Sequence, residues 1–193
     1  MKKIPLYFLR GSDGRALKKV AHGMEDIESG AGVATEKVDG SACAIIEGRY
    51  YKRYDANTKR GRKPPLGGIP CQPEPDPHTG HWPFWVLVDE RKREDQWFVN
   101  AYKNTPWCRK DGTYEAVGKH FNGNPYGLDD DFMETHGRIE IKDFPRTYDL
   151  IKEYFEAHDS IEGVVFWVDG KPKAKIRRKD FGLPWPAKGK NGE

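Results

Sequence analysis

The stretch Glu36-Lys37-Val38-Asp39-Gly40-Ser41 sets the organisation of the whole chain. Strand-like sequence flanks it on both sides, so it predicts a tight turn in which Gly40 lets the backbone bend. A lysine amine held in line with a nucleoside triphosphate attacks the α-phosphate and retains the nucleotide as a covalent phosphoramidate. The same string also fits a surface lysine in an ordinary Asp-Gly turn between strands. The sequence downstream has to separate these two interpretations.

Length and charge place the chain among globular proteins with an uneven surface. Its 193 residues predict a single domain over 1–193, large enough to bury a core. The net charge is only +3, yet residues 49–63 carry seven Lys or Arg against one acid, and residues 171–193 carry eight against two. Cations interleaved with Tyr50, Tyr51 and Tyr54 suit phosphate contacts beside base-stacking platforms, whereas a solvated surface explains scattered charge.

The cysteines and the hydropathy of the chain indicate in which cellular compartment the protein is expected. Cys43, Cys71 and Cys108 form no C-x-x-C pair and leave one unmatched, which favours a reducing compartment, so the cytoplasm is the expected location. The apolar run at 4–9 is too short for a signal peptide, and we expect no membrane span. Protein partners stay unknown at this stage.

Periodicity predicts a mixture of strands and helices. A proline-rich stretch over 55–83 shows neither the helical nor the strand period, and it is expected to be a long functional loop. The expected strands and hairpins are 4–9, the hairpin 42–54 with its turn at Glu47-Gly48, 84–88, 113–117 with Glu115, and 139–141. The expected helices are 93–102 and a helix capped by Thr147 that runs to about Ala157.

The segment from Ser160 to Arg178 predicts a second hairpin, with Asp169-Gly170 as its turn. In a two-residue hairpin the paired residue numbers sum to 339, so Glu162 faces Arg177 and Val164 faces Lys175 on one side of the sheet. A carboxylate and two cations then converge. The alternative is a plain cross-strand salt bridge on a solvated face.

Three motifs in this order and spacing resemble those of the covalent nucleotidyltransferases, which include ATP-dependent ligases and mRNA capping enzymes. They are Lys37-Val-Asp39-Gly40, Glu162-Gly-Val164-Val-Phe and Lys175-Ile-Arg177. Gly112-Thr-Tyr-Glu115, Gly123-Asn-Pro-Tyr-Gly127 and the run from Lys175 to Pro186 are similar to the small RNA ligases of the human 5′-to-3′ type. The similarity spans nearly the whole chain.

The resemblance implies a role for each matched residue. Lys37 is the nucleophile that carries AMP, Glu36 contacts adenine through its backbone, and Glu115 approaches the ribose. Arg53 engages phosphate or the RNA end, and Arg177 stands where the family usually has a second lysine. The implied catalytic set is Lys37, Asp39, Glu162, Lys175 and Arg177. The implied nucleotide-binding set is Glu36, Lys37, Gly40, Arg53, Glu115, Val164, Lys175 and Arg177, and the implied metal ligands are Glu162 and Asp39.

These roles imply an ATP-dependent RNA ligase that uses Mg²⁺ or Mn²⁺ and joins an RNA 5′-phosphate to a 3′-hydroxyl. The expected fold is α+β, with two largely antiparallel sheets forming a nucleotide cleft, helices outside, and no appended oligonucleotide-binding domain. A DNA ligase, a GTP-using capping enzyme and a non-catalytic nucleic-acid-binding module are the alternatives. We also expect Lys175 and Arg177 to favour the neutral amine of Lys37, with Asp39 and Glu162 opposing them unless a metal masks the acids.

Overall fold

The structure of the protein, a computed structural model, describes residues 2–186. Within that range the fold is α+β, with three antiparallel sheets and few helices, which confirms the expected class. The strands are β1 (Phe8–Arg10), β2 (Ala16–Val20), β3 (Val33–Glu36), β4 (Ser41–Ile46), β5 (Arg49–Asn57), β6 (Ile69–Pro70), β7 (His81–Leu87), β8 (Gly112–Val117), β9 (Phe132–Thr135), β10 (Gly163–Val168) and β11 (Lys171–Arg177).

Three α-helices complete the architecture of the described residues, and 3₁₀ turns extend or join the elements. The helices are α1 (Glu25–Glu28), α2 (Gln96–Asn104) and α3 (Tyr148–Ala157). Across residues 2–186 no helix is long and apolar enough to cross a membrane.

The chain divides into two compact units, and the division falls inside the motif that opened the sequence analysis. The small-sheet unit begins at Ile4, runs to Val38 and resumes at His136. The large-sheet unit comprises Asp39–Thr135 together with the first three residues of the chain. Lys37 therefore belongs to the small-sheet unit, whereas Asp39 and Gly40 belong to the large-sheet unit.

The small-sheet unit contains the three-stranded sheet β11-β10-β3 and the separate pair β1-β2. One face of the three-stranded sheet packs on α3 because alternate residues of each strand are apolar. Val164, Phe166 and Ile176 are almost fully buried on that face, and Ile151 and Phe155 of α3 join the same cluster. This cluster holds the unit together and fixes which side chains are left for the opposite face.

The register of the β10–β11 hairpin differs from the expected one. Next to the turn, Val168 pairs with Lys171 and the numbers sum to 339, but beyond a bulge Val165 pairs with Lys175 and the sum becomes 340. Lys173 is the extra residue, beside Pro172, which cannot donate a ladder hydrogen bond.

The expected pairs Glu162–Arg177 and Val164–Lys175 are therefore wrong. Gly163 pairs with Arg177, and Val164 pairs with Ile176. A slip of one residue moves every side chain to the other face. The bulge thus puts apolar Ile176 in the core and leaves Lys175 and Arg177 on the opposite face.

The large-sheet unit is built on one antiparallel sheet with the strand order β6-β7-β5-β4-β8-β9. The hairpin β4–β5 turns at Glu47-Gly48 as expected, and the Asp111 carboxylate accepts hydrogen bonds from both turn N–H groups at 2.7 and 3.0 Å. One face packs on α2 through Cys43, Ile45 and Ala101. The other face carries Arg53 and Glu115.

Sequence patterns located some elements better than others. The helices expected at 93–102 and after Thr147 are present as α2 and α3, with small shifts at their ends. The first strand is shorter than expected, and residues 139–141 contribute only a bridge between Thr35 and Glu140. The strands β2, β6 and β9 were not anticipated, because two to five residues are too few to show a clear period.

Gly40 is required for close backbone approach. A methyl group at this position would lie 2.1 Å from the carbonyl oxygen of Ala116 on the neighbouring strand β8. Backbone atoms cannot retreat as a flexible side chain does, so the clash has to move β4 or β8.

We therefore predict that Gly40→Ala lowers the free energy of unfolding by about 3 kcal/mol, because the added methyl overpacks against backbone. Gly112→Ala is the matched control, since its nearest neighbour beyond the adjacent residues lies 3.9 Å away, and it should change stability by less than about 1 kcal/mol. Chemical denaturation of both variants measures the difference. Equal stability of the two variants would contradict the steric account.

Candidate active site

Lys37 leaves strand β3 and stays attached to the neighbouring strand β10. Its backbone N–H donates to the carbonyl oxygen of Gly163 at 2.8 Å, and its Nζ forms an ion pair with the carboxylate of Glu162. Glu162 is 7% exposed, and its carbonyl oxygen accepts the N–H of Arg178 at 2.9 Å, which fixes its backbone. A buried carboxylate against the amine fixes the direction of the Nζ.

Lys175 lies on the face of the small sheet opposite the core, next to Val165. Its backbone is held on the outer edge as well, because its N–H donates to Pro5 and its carbonyl oxygen accepts from Tyr7, both at 2.9 Å. Arg177 shares this face and pairs with Gly163, so Gly163 has the Lys37 backbone on one side and the Arg177 backbone on the other.

Glycine at position 163 permits this arrangement. A methyl group there would lie 2.4 Å from the carbonyl oxygen of Ile176. A larger residue at position 163 would therefore prevent the close approach of β10 to β11 at the end of the sheet that carries Lys37, Lys175 and Arg177.

The guanidinium of Arg177 is held by a buried acid. Its Nε and Nη2 donate to the two carboxylate oxygens of Asp180 at 3.0 and 2.8 Å, and Arg10 adds a third bond at 2.9 Å. Asp180 is 2% exposed. Burial raises the pKa of Asp180, but the hydrogen bonds and positive charge of Arg177, with help from Arg10, outweigh burial and hold the pKa below its usual value.

This network changes the expected account of lysine activation. The charge of Arg177 is balanced by Asp180, so Arg177 repels a charged Lys37 less than a bare cation would. Glu162, one of the two acids expected to oppose that activation, contacts the amine directly.

Two residues implied to bind nucleotide lie away from this face. Val164 is fully buried in the core cluster, on the side of the sheet opposite Lys175. The N–H of Glu36 donates to the carbonyl oxygen of Ile139 at 2.8 Å within the sheet. A backbone contact from Glu36 to adenine would therefore have to use its carbonyl oxygen, and the structure gives no support to a contact from Val164.

The tight turn expected at Asp39–Gly40 is absent: residues 37–39 are irregular and Gly40 forms only a bend between β3 and β4. In the large-sheet unit, three side chains hold this segment. Glu115 Oε1 accepts from the Gly40 N–H at 3.2 Å, and the Tyr126 hydroxyl accepts from the Asp39 N–H at 2.7 Å. The Asn122 amide donates to Asp39 Oδ1 at 2.9 Å and to the Gly40 carbonyl oxygen at 2.6 Å.

Asn122 and Tyr126 are site residues that the sequence did not single out by role. They lie on the loop after β8, whose Gly123–Gly127 stretch contributed to the resemblance only as a string. Nothing in its spacing indicated that this loop would reach back to Asp39. Asp180 was missed in the same way, because its partner Arg177 was expected to face Glu162.

Arg53 lies on the same face of the large sheet as Glu115, since both follow by two residues the directly aligned row Tyr51–Ala44–Thr113. Its Nε donates to Asp55 Oδ1 at 2.7 Å. The unit therefore presents a cation and an acid on one surface, with the small side chain of Ala42 opposite Glu115.

The acidic residues suit a magnesium ion held mainly by its substrate. Among residues 2–186, no group of three or more His, Cys, Asp or Glu side chains is placed to enclose a metal ion. Mg²⁺ in phosphoryl-transfer enzymes is usually bound by one or two carboxylates and the substrate phosphates. The buried Glu162 carboxylate fits that mode.

Comparison with known proteins finds similarity to proteins described as RNA ligase 1. The family model described as RNA ligase 1 matches residues 108–191. RNA ligase 1 of Rattus norvegicus is 26% identical over 80% of this chain and 68% of its own length, and the Mus musculus protein of the same name is 25% identical over the same shares. RNA ligase 1 of Danio rerio is 29% identical over 59% of this chain and 44% of its own length.

We predict that Asp180→Asn destabilises the protein by about 2 kcal/mol at pH 7, because two arginines lose their charged partner. A carboxylate with a lowered folded-state pKa contributes stability above its unfolded pKa of about 3.9, and this is lost as the pH falls through the folded value. The gap between variant and wild type should therefore close in acid. Denaturation at pH 7 and below pH 4 measures it.

The exposed, ion-paired Asp149 provides the control for this prediction, and Asp149→Asn should have little effect at either pH. A gap between Asp180→Asn and wild type that is unchanged in acid would mean that the Asp180 charge does not hold the network.

Proposed function

The family match and the curated relatives support an RNA ligase family for this chain, and on that premise we propose that it is an ATP-dependent RNA ligase. It joins an RNA 5′-phosphate to a 3′-hydroxyl, with AMP bound covalently to Lys37 as the first intermediate. The observation that carries the proposal is the ion pair between Lys37 and Glu162, which come together from 125 residues apart.

In the first step the Lys37 Nζ attacks the α-phosphorus of ATP. A nitrogen–phosphorus bond forms, the bond from the α-phosphorus to the bridging oxygen breaks, and pyrophosphate leaves. The amine has to lose a proton for this attack. Glu162 lies against the Nζ, so it both orients the amine and is the nearest carboxylate to accept that proton.

Two further steps return the enzyme to its starting state. An oxygen of the RNA 5′-phosphate attacks the phosphorus of lysyl-AMP, which frees Lys37 and leaves AMP on the RNA end. The 3′-hydroxyl then attacks the RNA 5′-phosphorus, loses its proton and releases AMP. Each step is a phosphoryl transfer, in which catalysis rests on position and on compensation of negative charge.

The other residues of the implied site are assigned roles from their charge and their position in the fold. Lys175 and Arg177 supply positive charge for the leaving pyrophosphate, with Arg177 kept in one orientation by Asp180. In the large-sheet unit Glu115 is assigned to the ribose, Arg53 to phosphate, and the Asp39–Gly40 segment to the nucleotide. Glu162 and Asp39 would hold Mg²⁺ or Mn²⁺, which when bound neutralises charge on the triphosphate.

The cytoplasm is the proposed location. Cys43, Cys71 and Cys108 are all free thiols, which suits a reducing compartment. That residues 1–193 act as a single adenylation domain stays a prediction.

We predict that ATP labelled at the α-phosphate, with Mg²⁺ or Mn²⁺, labels the protein covalently and that Lys37→Ala abolishes the label. GTP should label it poorly. The measurement is denaturing electrophoresis after incubation with either nucleotide. Lys171→Ala, an exposed lysine at the start of β11, should label as the wild type does. Label that survives in Lys37→Ala, or a preference for GTP, would overturn the assignment, and a wild type without label would favour a non-catalytic binding module.

We also predict that the purified protein seals 5′-phosphorylated RNA to 3′-hydroxyl RNA and seals all-DNA ends poorly. The reason is the relationship to RNA ligases rather than a particular contact. Matched nicked and single-stranded substrates in RNA and in DNA give the comparison on a sequencing gel. Equal or better sealing of the DNA nick would make a DNA ligase the better assignment.

A further inference from the structure

The cations of the basic segment over 49–63 fall into two groups, those on strand β5 and those in the turn that follows it. In its strand, Lys52 pairs with buried Asp95, and Arg53 pairs with Asp55. Tyr50 stacks on Tyr102 in the core with ring centroids 4.9 Å apart. Each of these two cations already has an acidic partner, and Tyr50 cannot offer its ring to a base.

Apart from the exposed Arg49 at the start of β5, the excess charge concentrates in the turn that follows this strand. Four cations occupy this turn, and the structure leaves all four exposed: Lys59, Arg60, Arg62 and Lys63. We call residues 59–63 the basic turn. Lys59 Nζ donates to the carbonyl oxygen of His78 at 2.8 Å, and Arg62 Nη1 donates to the carbonyl oxygen of Asp55 at 3.2 Å. Both acceptors are neutral, so these bonds leave the positive charges uncompensated within the part of the chain that the structure describes.

The basic turn has a rigid base. Asn57 and Arg62 exchange two backbone hydrogen bonds of 2.8 and 3.0 Å, and the Asn57 side chain accepts the N–H of Arg60 at 3.0 Å. Thr58 is tied to Gly80 by a backbone bond of 2.9 Å. The Arg62 guanidinium lies 5.5 Å from the ring centroid of Tyr54. The backbone that carries the four cations is thus held in place, which lowers the entropy cost of binding a polyanion.

The second basic segment offers a contrast. Lys173 pairs with Asp26, Arg177 pairs with Asp180, and Arg178 is buried against carbonyl oxygens of Phe155 and His158. Lys188 and Lys190 lie outside the described residues. The charge that the sequence places at 171–178 is therefore largely used within the fold.

We propose that the basic turn binds the phosphate backbone of the RNA substrate, an inference that rests on the proposed function. Clustered arginine and lysine side chains neutralise phosphates without reading base sequence, and arginine grips a phosphate through two parallel N–H donors. Each neutralised phosphate releases counterions, so the cluster makes binding dependent on salt.

The test is the salt dependence of RNA binding by Arg60→Ala/Lys63→Ala. The probe is a fluorescein-labelled, 5′-phosphorylated single-stranded RNA, measured by polarisation across a series of salt concentrations. Loss of two phosphate contacts should reduce the slope of log affinity against log salt by about 1.4 on this single strand. At 0.1 M salt the affinity should fall roughly 10- to 25-fold.

The matched control is Lys103→Ala/Lys110→Ala, which removes the same net charge from exposed positions elsewhere in the large-sheet unit. It should keep the wild-type slope. Arg60→Lys/Lys63→Arg retains both charges and should keep most of the slope. If the double alanine variant does not fold, Arg60→Gln and Lys63→Gln are measured separately, and each should lower the slope by about 0.7.

An unchanged slope in the variants of the basic turn, or an equal loss in the control, would overturn the proposal. A basic turn that serves an acidic protein surface instead would leave RNA affinity at the wild-type value. Self-adenylation is measured on the same preparations. A wild type that fails to adenylate contradicts the proposed function, whereas normal adenylation with unaltered RNA binding contradicts the basic turn alone.

Discussion

The ion pair between Lys37 and Glu162 is the interaction on which the functional account depends. It exists because β3 and β10 align with Val164 opposite Glu36, which brings the residue after β3 beside Gly163. An amine on a flexible side chain would sample many directions, and a buried acid restricts it to one. The pair therefore orders the nucleophile before substrate binds.

The register of the β10–β11 hairpin determines both which residues pack in the core and where the charged side chains lie. The bulge at Lys173 lets Ile176 join Val164 in the core, and the neighbouring positions Lys175 and Arg177 turn to the opposite face as a direct result. Arg177 then needs a partner, and buried Asp180 supplies it. Asp180, although buried in the fold, therefore determines how much uncompensated positive charge Arg177 contributes on the face that carries Lys175.

Sequence reasoning located the elements with strong local signals and failed where long-range contacts decided. The turns at Glu47-Gly48 and Asp169-Gly170 follow from local turn chemistry, and both are present. The hairpin register was wrong because no local signal says whether Pro172 is absorbed by a bulge or by the turn. Gly40 was identified correctly, but its reason is the approach of Ala116, a contact across 76 positions of the chain that no local pattern contains.

The most direct test of the central claim is the rate of single-turnover self-adenylation in the wild type and in Glu162→Gln at saturating ATP. The amide of glutamine can neither hold the amine as an ion pair nor accept its proton, so the rate should fall by about 100-fold. A variant that adenylates at the wild-type rate would contradict the claim that Glu162 positions Lys37.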